Sequence, residues 1–303
     1  MIIAGLLFDF FVLICLILYI IKQRKIINDI ISALQRFLED GEVDENYYED
    51  NSLSDVYFLL KRISDRNKYL IDNSNCEKES IKQNISNMSH QLKTPLADIL
   101  LYEELLDDES LQEFEKKQVK ERLIKQTKKI QWIMESIIKC TQLEKDAVKF
   151  SVSKIPLIDT LISAINSVAG KAESKKIEFV LNEIEEDIFV VHNKKWTAEV
   201  FENIFENAIK YSPMGSQITI QIEKMDAFTK ILVRDSGIGI RKNEQEKIFK
   251  RFYRSKDVEN QEGSGLGLYL CRLILENEKG GISVKSKFGQ GCEFCVMLRN
   301  DFD

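Results

Sequence analysis

At 303 residues the chain has room for two or three domains, and its 44% hydrophobic and 30% charged residues are ordinary for globular protein. A formal net charge of -6 counts against nucleic acid as a partner. The six cysteines are scattered, as suits a reducing compartment. The one close pair, Cys292 and Cys295, lies in an apparent strand at an offset that points the thiols to opposite faces, which counts against zinc.

Residues 1–21 contain IIAGLLFDFFVLICLILYII, which carries a single charge, Asp9, and is about as long as a hydrocarbon core is thick. No basic segment precedes it and no small-residue cleavage site follows, so a single transmembrane helix is expected rather than a signal peptide. Lys22, Arg24 and Lys25 come next, and the positive-inside rule then puts the N-terminus outside and the rest in the cytoplasm. The expected place is the cell membrane, in a single pass. Asp9 either marks an intramembrane partner site or reaches headgroups or water from near the end of the span. With little chain left outside, the signal is expected from within the membrane or from a partner membrane protein.

Residues 22–75 read as a linker. An amphipathic run over 26–39 is followed by the acidic, turn-prone stretch 40–50 and a second amphipathic run, LSDVYFLLKRI. The pattern fits a HAMP-like relay, which it loosely resembles without the proline usual in the first helix, and fits a juxtamembrane coiled coil equally well.

Over residues 76–147 two periodic helices joined by DDES predict a hairpin. Apolar residues recur at Ile81, Ile85, Met88, Leu92, Leu96 and Ile99 in the first helix, and at Val119, Leu123, Ile130, Ile133, Ile137 and Cys140 in the second. Two such seams cannot both be buried by one hairpin, so a homodimeric four-helix bundle is expected. His90, one of only two histidines, lies off the stripe, turned roughly 160–200° from Met88 and Leu92. Thr94 shares its face one turn on, and Pro95 removes the amide that would bond the Gln91 carbonyl, which should bend the helix there. An exposed histidine, a nearby hydroxyl and a local kink suit chemistry better than packing.

Residues 150–303 alternate helices with the strands IEFVL, IFVVH, QITIQIE, KILVRD, ISVKS and CEFCVML, which implies an α+β layer domain of ordinary size. His192 falls in the second strand with no acidic or cysteine cluster beside it and reads as structural. In WTAEVFENIFENAIKYS, Phe201, Ile204, Phe205, Ala208 and Ile209 form a buried face and leave Asn203, Asn207 and Lys210 on the other. Asn is a poor mid-helix residue, so this pair suggests ligands, and a carboxamide oxygen is a neutral hard donor for Mg2+.

KILVRDSGIGI is a strand that ends in Asp235 and runs into Gly237 and Gly239. A carboxylate there can accept from an adenine amino group, while guanine would oppose an acceptor with an acceptor, a mismatch of about 1–3 kcal/mol. Gly263, Gly265 and Gly267 of GSGLGL open an amphipathic helix whose free amides can cradle phosphate. No strand leads into this loop, so it is not a Rossmann fingerprint, and it lacks the Lys-Ser/Thr of a P-loop. Between the glycine segments, IFKRFYR and a polar run look like a mobile lid anchored by aromatics, with Arg254 free to reach a terminal phosphate.

In order, SHxxxTP, the NIFEN helix, DSGIG, IFKRFYR, GSGLGL and the final FGQG resemble the H, N, G1, F, G2 and last-glycine boxes of membrane-bound sensor histidine kinases over about residues 75–300. The resemblance implies a HisKA-type dimerisation domain and a GHKL-type ATP-binding domain. It implies that His90 accepts the γ-phosphoryl group of ATP, that Asn207 carries Mg2+ with Asn203 beside it, and that Asp235 reads adenine. Lys210, Tyr211 and Arg254, with Leu266 and Leu268 of the second glycine loop, complete the implied nucleotide site. A cognate response regulator is the implied final acceptor. ATPases of this fold place a Glu where Asn203 stands, which favours transfer over hydrolysis and disfavours a conformational ATPase.

A histidine's ordinary pKa of about 6.5 leaves most of it neutral and able to attack without a strong base. The family usually has an acidic residue after the phosphoacceptor, and here it is Gln91, which can orient the ring but cannot take its proton. A second reading is therefore a phosphatase-dominant or scaffold homologue with weak autokinase activity, in which Thr94 orients water.

Overall fold

The computed structural model describes residues 2–40, 54–108, 111–144, 150–182, 188–258, 261 and 263–302. It divides into two compact units, Met1–Gln83 and Asn84–Asp303.

The first unit holds α1 (Ile2–Asp40) and the start of α2 (Ser54–Leu106). Helix α1 runs unbroken from the apolar N-terminal stretch into the amphipathic run, and its large apolar side chains from Phe10 to Ile21 are exposed. Among the described residues no helix is long and apolar enough to cross a membrane, so the span expected over 1–21 is not confirmed. The side chains of residues 1–9 in that stretch lie outside the described part, as does the acidic connector over 41–53. Helix α2 continues through residues 75 and 76 without a break, joining the second linker helix to the His90 helix.

In the second unit α2 and α3 (Glu113–Glu144) form the hairpin. Pro95 sits inside α2, buried, without ending it. The two seams are used differently from the expectation. Ile133 is fully buried with Phe252 and Leu266 of the α+β domain, and Met88, Leu92 and Ile137 pack around them. Cys140 and Leu143 join the core of that same domain. Half of the α3 stripe is thus spent on the neighbouring domain, while Ile81, Ile85, Leu96 and Ile124 stay exposed.

The α+β domain is one sheet covered by α4 (Leu157–Ser174), α5 (Lys194–Tyr211) and α6 (Gly267–Asn277). Its strands are β1 (Ser153–Pro156), β2 (Glu178–Leu181), β3 (Phe189–His192), β4 (Gln217–Lys224), β5 (Phe228–Arg234), β6 (Gly281–Ser286) and β7 (Cys292–Arg299), in the order β1-β3-β7-β5-β4-β2 with β6 also on β7. Among the described strands only the β2–β4 pair is parallel. Strand β1 was not expected; it is four residues long, ends in Pro156 and pairs at the edge with β3, where a missing amide is tolerated. Alternation puts Ile218 and Ile220 of β4, Ile231 and Val233 of β5, and Phe294, Val296 and Leu298 of β7 on the helix-covered face, where they close the core with Phe201, Ile204 and Phe205. Phe205 meets Phe179 edge to face at 5.1 Å between ring centroids.

His192 is structural. It is fully buried, its Nδ1 donating to the Val190 carbonyl at 3.0 Å and its Nε2 accepting from the Thr160 hydroxyl at 2.8 Å, and burial lowers its pKa and favours the neutral ring. Close by, Glu278 at the end of α6 accepts from the Asn193 amide and the Thr197 hydroxyl, both at 2.8 Å on Oε1, which ties α6 to the first turn of α5. Asn193 caps that turn by accepting from the Lys195 and Trp196 amides.

Desolvation pushes the Glu278 carboxyl up to about 7 from an ordinary 4.5, against the pull of those two hydrogen bonds. Between these values the folded state holds a proton that the unfolded chain has lost, so stability falls as pH rises from 4.5 to 7, by on the order of 3 kcal/mol. Glu278→Gln keeps the Oε1 acceptor and cannot ionise. It should therefore raise the unfolding temperature of the full chain at pH 8 and change it little at pH 4.5; an equal effect at both, read by thermal unfolding, would assign the change to packing.

Candidate nucleotide site

A cavity of about 910 Å³ opens beside α5. Helical geometry makes it so: with Phe201, Ile204, Phe205 and Ala208 turned into the core, Asn203, Asn207 and Lys210 are left on the cavity side, and all three line it. The two asparagines differ. Asn203 Nδ2 donates back to the Glu199 carbonyl at 2.8 Å, and its Oδ1 lies so close to Gly267 that a Cβ there would overlap it. The Asn207 carboxamide makes no hydrogen bond among the described residues. Tyr211 lines the cavity too, its hydroxyl accepting from Lys210 Nζ at 3.1 Å.

Asp235 follows β5 and faces the same cavity. Its Oδ1 accepts from the Gly237 amide at 2.8 Å and the Cys292 amide at 3.2 Å, which fixes the carboxyl plane. Burial raises its pKa, and the amide bonds and the Cys292 thiol oppose that rise. Gly239 lines the cavity, whereas Gly237 serves it indirectly, through its bond to Asp235.

The second glycine loop is held by close backbone packing. Gly265 has φ +73°, its carbonyl accepts from the Phe252 amide at 2.9 Å, and a Cβ on it would lie 2.6 Å from the Phe252 carbonyl carbon. Gly263, Gly265, Gly267 and Leu268 line the cavity; Leu266 is instead fully buried against Ile133 and Phe252, and so acts as an anchor. The loop opens α6, whose leading amides are available to an anion.

The segment between the glycine loops is more tied than its polar sequence suggests. Phe249 and Phe252 are buried as expected. Tyr253 and Ser255 donate to the two oxygens of Glu244 at 2.8 and 2.9 Å, and Arg241 makes a bidentate pair with Asp257 at 2.7 and 3.0 Å. Arg254 lines the cavity but is not free, because its guanidinium donates to the Val258 carbonyl at 2.7 Å and to the Gln261 carbonyl.

His90, Gln91 and Thr94 do not line the cavity. His90 and Thr94 are exposed on α2, and the Thr94 hydroxyl donates to the His90 carbonyl at 3.3 Å. Several lining residues escaped the sequence reading. Cys292 sits beside Asp235, marked only by the glycine before it. Lys171 and Lys175 come from α4, and Lys128, Lys129 and Trp132 from α3, where a lysine run looks like any solvated helix face.

The donors present fit Mg2+ held chiefly by substrate oxygens and water: one neutral hard oxygen, on Asn207, has no protein partner among the described residues and faces a cavity rich in cations.

Comparison with known proteins assigns the hairpin and the layer domain to the histidine kinases. Residues 80–145 match the family described as His Kinase A (phospho-acceptor) domain, and residues 192–301 match the histidine kinase-, DNA gyrase B- and HSP90-like ATPases. The chain belongs to the two-component sensor histidine kinases. It is 28% identical over 243 residues to the sensor protein kinase PmrB of Pseudomonas aeruginosa, covering 79% of this chain and 50% of that protein. It is 26% identical over 254 residues to the sensor histidine kinase YcbM of Bacillus subtilis, covering 83% and 82% respectively. The structure of the Acinetobacter baumannii histidine kinase AdeS superposes with a TM-score of 0.56 at 16% identity over 70% of this chain and 98% of that one, a likeness of fold.

Gly265→Ala should displace the glycine loop from Phe252 and lower ADP affinity at least about tenfold, the cost of roughly 1.4 kcal/mol of overlap and positive-φ strain. Gly215, at φ +75° with nothing within 4 Å of its Cβ position, provides the control. Gly215→Ala should leave affinity unchanged, and equal losses in calorimetric titration of the two variants would remove the close approach as the cause.

Proposed function

We propose that the chain is a membrane-bound sensor kinase that autophosphorylates His90 from ATP, passes the phosphoryl group to an aspartate of a cognate response regulator, and dephosphorylates that regulator. The observation that carries this reading is the exposure of His90 on a chain that also holds a cation-lined cavity around Asn207, Asp235 and the glycine loop. Domains at 1–21, 22–75, 76–147 and 150–303 would then anchor, relay, dimerise and catalyse. The exposed apolar side chains of Phe10–Ile21 support membrane insertion, and those of Ile81, Ile85, Leu96 and Ile124 support a homodimer.

In this reading Asp235 accepts from the adenine amino group, and Lys210, the amides before α6 and the Arg254 guanidinium N–H groups not committed to Val258 and Gln261 hold the phosphates. Asn207 would hold Mg2+, which would supply charge neutralisation at the phosphates. His90 supplies a ring nitrogen to the γ-phosphorus as the bond to ADP breaks. Gln91 orients the ring, and its inability to take a proton keeps a phosphatase-dominant balance in view. Thr94, exposed one turn from His90, is the hydroxyl placed to position water at a regulator acyl phosphate.

His90→Gln should abolish acid-labile, alkali-stable label from γ-labelled ATP while leaving ADP affinity within about twofold, since His90 is outside the cavity. Persisting label would move the acceptor elsewhere. Thr94→Ala should spare autophosphorylation and slow dephosphorylation of the regulator by about 10²-fold, the lower range of such catalysis. Loss of both activities together would point to a helix defect.

A further inference from the structure

We propose that α3 supplies a second wall of the nucleotide site, with Lys128 and Lys129 binding the polyphosphate, so that triphosphate affinity depends on the hairpin being docked. The inference rests on the cavity being the ATP site. Helix α3 contributes Lys128, Lys129 and Trp132 to the same cavity that Asn207, Asp235 and Gly263 line. What holds that face in place is Ile133, fully buried against Phe252 and against Leu266, the residue between Gly265 and Gly267. Lys129 is one turn before Ile133 on the same face, and Lys128 one turn before Trp132, and both lysines line the cavity.

Further contacts fix α3 along its C-terminal half. Lys139 pairs with Glu199 of α5 at 2.6 Å, and the Tyr269 hydroxyl of α6 donates to Glu144 at 2.5 Å. Towards its N-terminal end Gln126 Nε2 donates to Asp98 of α2 at 3.0 Å, while its Oε1 is buried in the cavity wall without a partner.

Charge then selects the ligand. Among the described lining residues, seven cations meet three carboxylates. Asp257 is taken by Arg241 and Glu206 by Lys171, which leaves Asp235 at the base-reading end. Lys128 and Lys129 make no hydrogen bond or ion pair among the described residues. Two ammonium groups in the cavity that also takes in the glycine loop, with the nearby carboxylates engaged elsewhere, match a polyanion and have nothing to offer a neutral nucleoside.

The test measures binding of the β,γ-imido analogue of ATP and of adenosine to the full chain by calorimetry. Lys128→Gln combined with Lys129→Gln should weaken the triphosphate roughly 5- to 30-fold and leave adenosine unchanged. The double arginine variant should keep wild-type affinity, and Asp235→Asn should weaken both ligands. Ile133→Asn, which breaks docking, should lower triphosphate affinity by a similar factor, with little further loss when the lysine changes are added. Unchanged triphosphate affinity in the double glutamine variant, or an equal loss for adenosine, overturns the inference while leaving the cavity as the nucleotide site. A wild-type chain that binds neither ligand, or an Asp235→Asn variant that binds both normally, overturns the reading of the cavity itself.

Discussion

Burial of one face of α5 is the constraint from which the site follows. Phe201, Ile204, Phe205 and Ala208 are all but inaccessible, and truncating either phenylalanine should cost several kcal/mol, so the rotation of the helix about its axis is fixed by the core. At about 100° per residue, that rotation leaves Asn203, Asn207 and Lys210 no direction except the cavity. The same core fixes β5, whose end carries Asp235, and α6, whose start is the glycine loop. Asp235, the asparagines of α5 and the glycine loop are therefore spaced by packing rather than by contacts within the site.

Local rules made much of this legible in the sequence. Asparagine mid-helix, a carboxylate at a strand end and glycines opening a helix are each visible because each violates ordinary propensity. Strand alternation gave six of the seven strands. The seventh, β1, ends in a proline and is defined only by its pairing with β3. Arg254 was misjudged for a related reason: a polar, glycine-flanked run looks loose, and only the fold reveals the carbonyls of Val258 and Gln261 waiting for its guanidinium.

The α3 seam was the harder case. A heptad stripe declares that a face will be buried without saying against what. Ile133 and Cys140 fit a bundle seam by spacing, yet both are consumed by the ATP-binding domain, as are Met88 and Leu92 in part. The distinction depends on side chains more than a hundred residues away, at Phe252 and Leu266, whose own exposure no local pattern shows. For the same reason Lys128 and Lys129 read as solvent-facing until the opposing domain is in place.

This docking has a mechanical consequence. Met88 and Leu92 turn towards Phe252 and Leu266, and His90, two residues from each, is rotated by roughly 160–200° to the far side of α2. Its ring is therefore turned away from the contact that holds Ile133 on Phe252 and Leu266, and His90 does not line the cavity. Separating α3 from the domain would expose Ile133, Phe252 and Leu266 together, three large apolar side chains at about 25 cal/mol per Å².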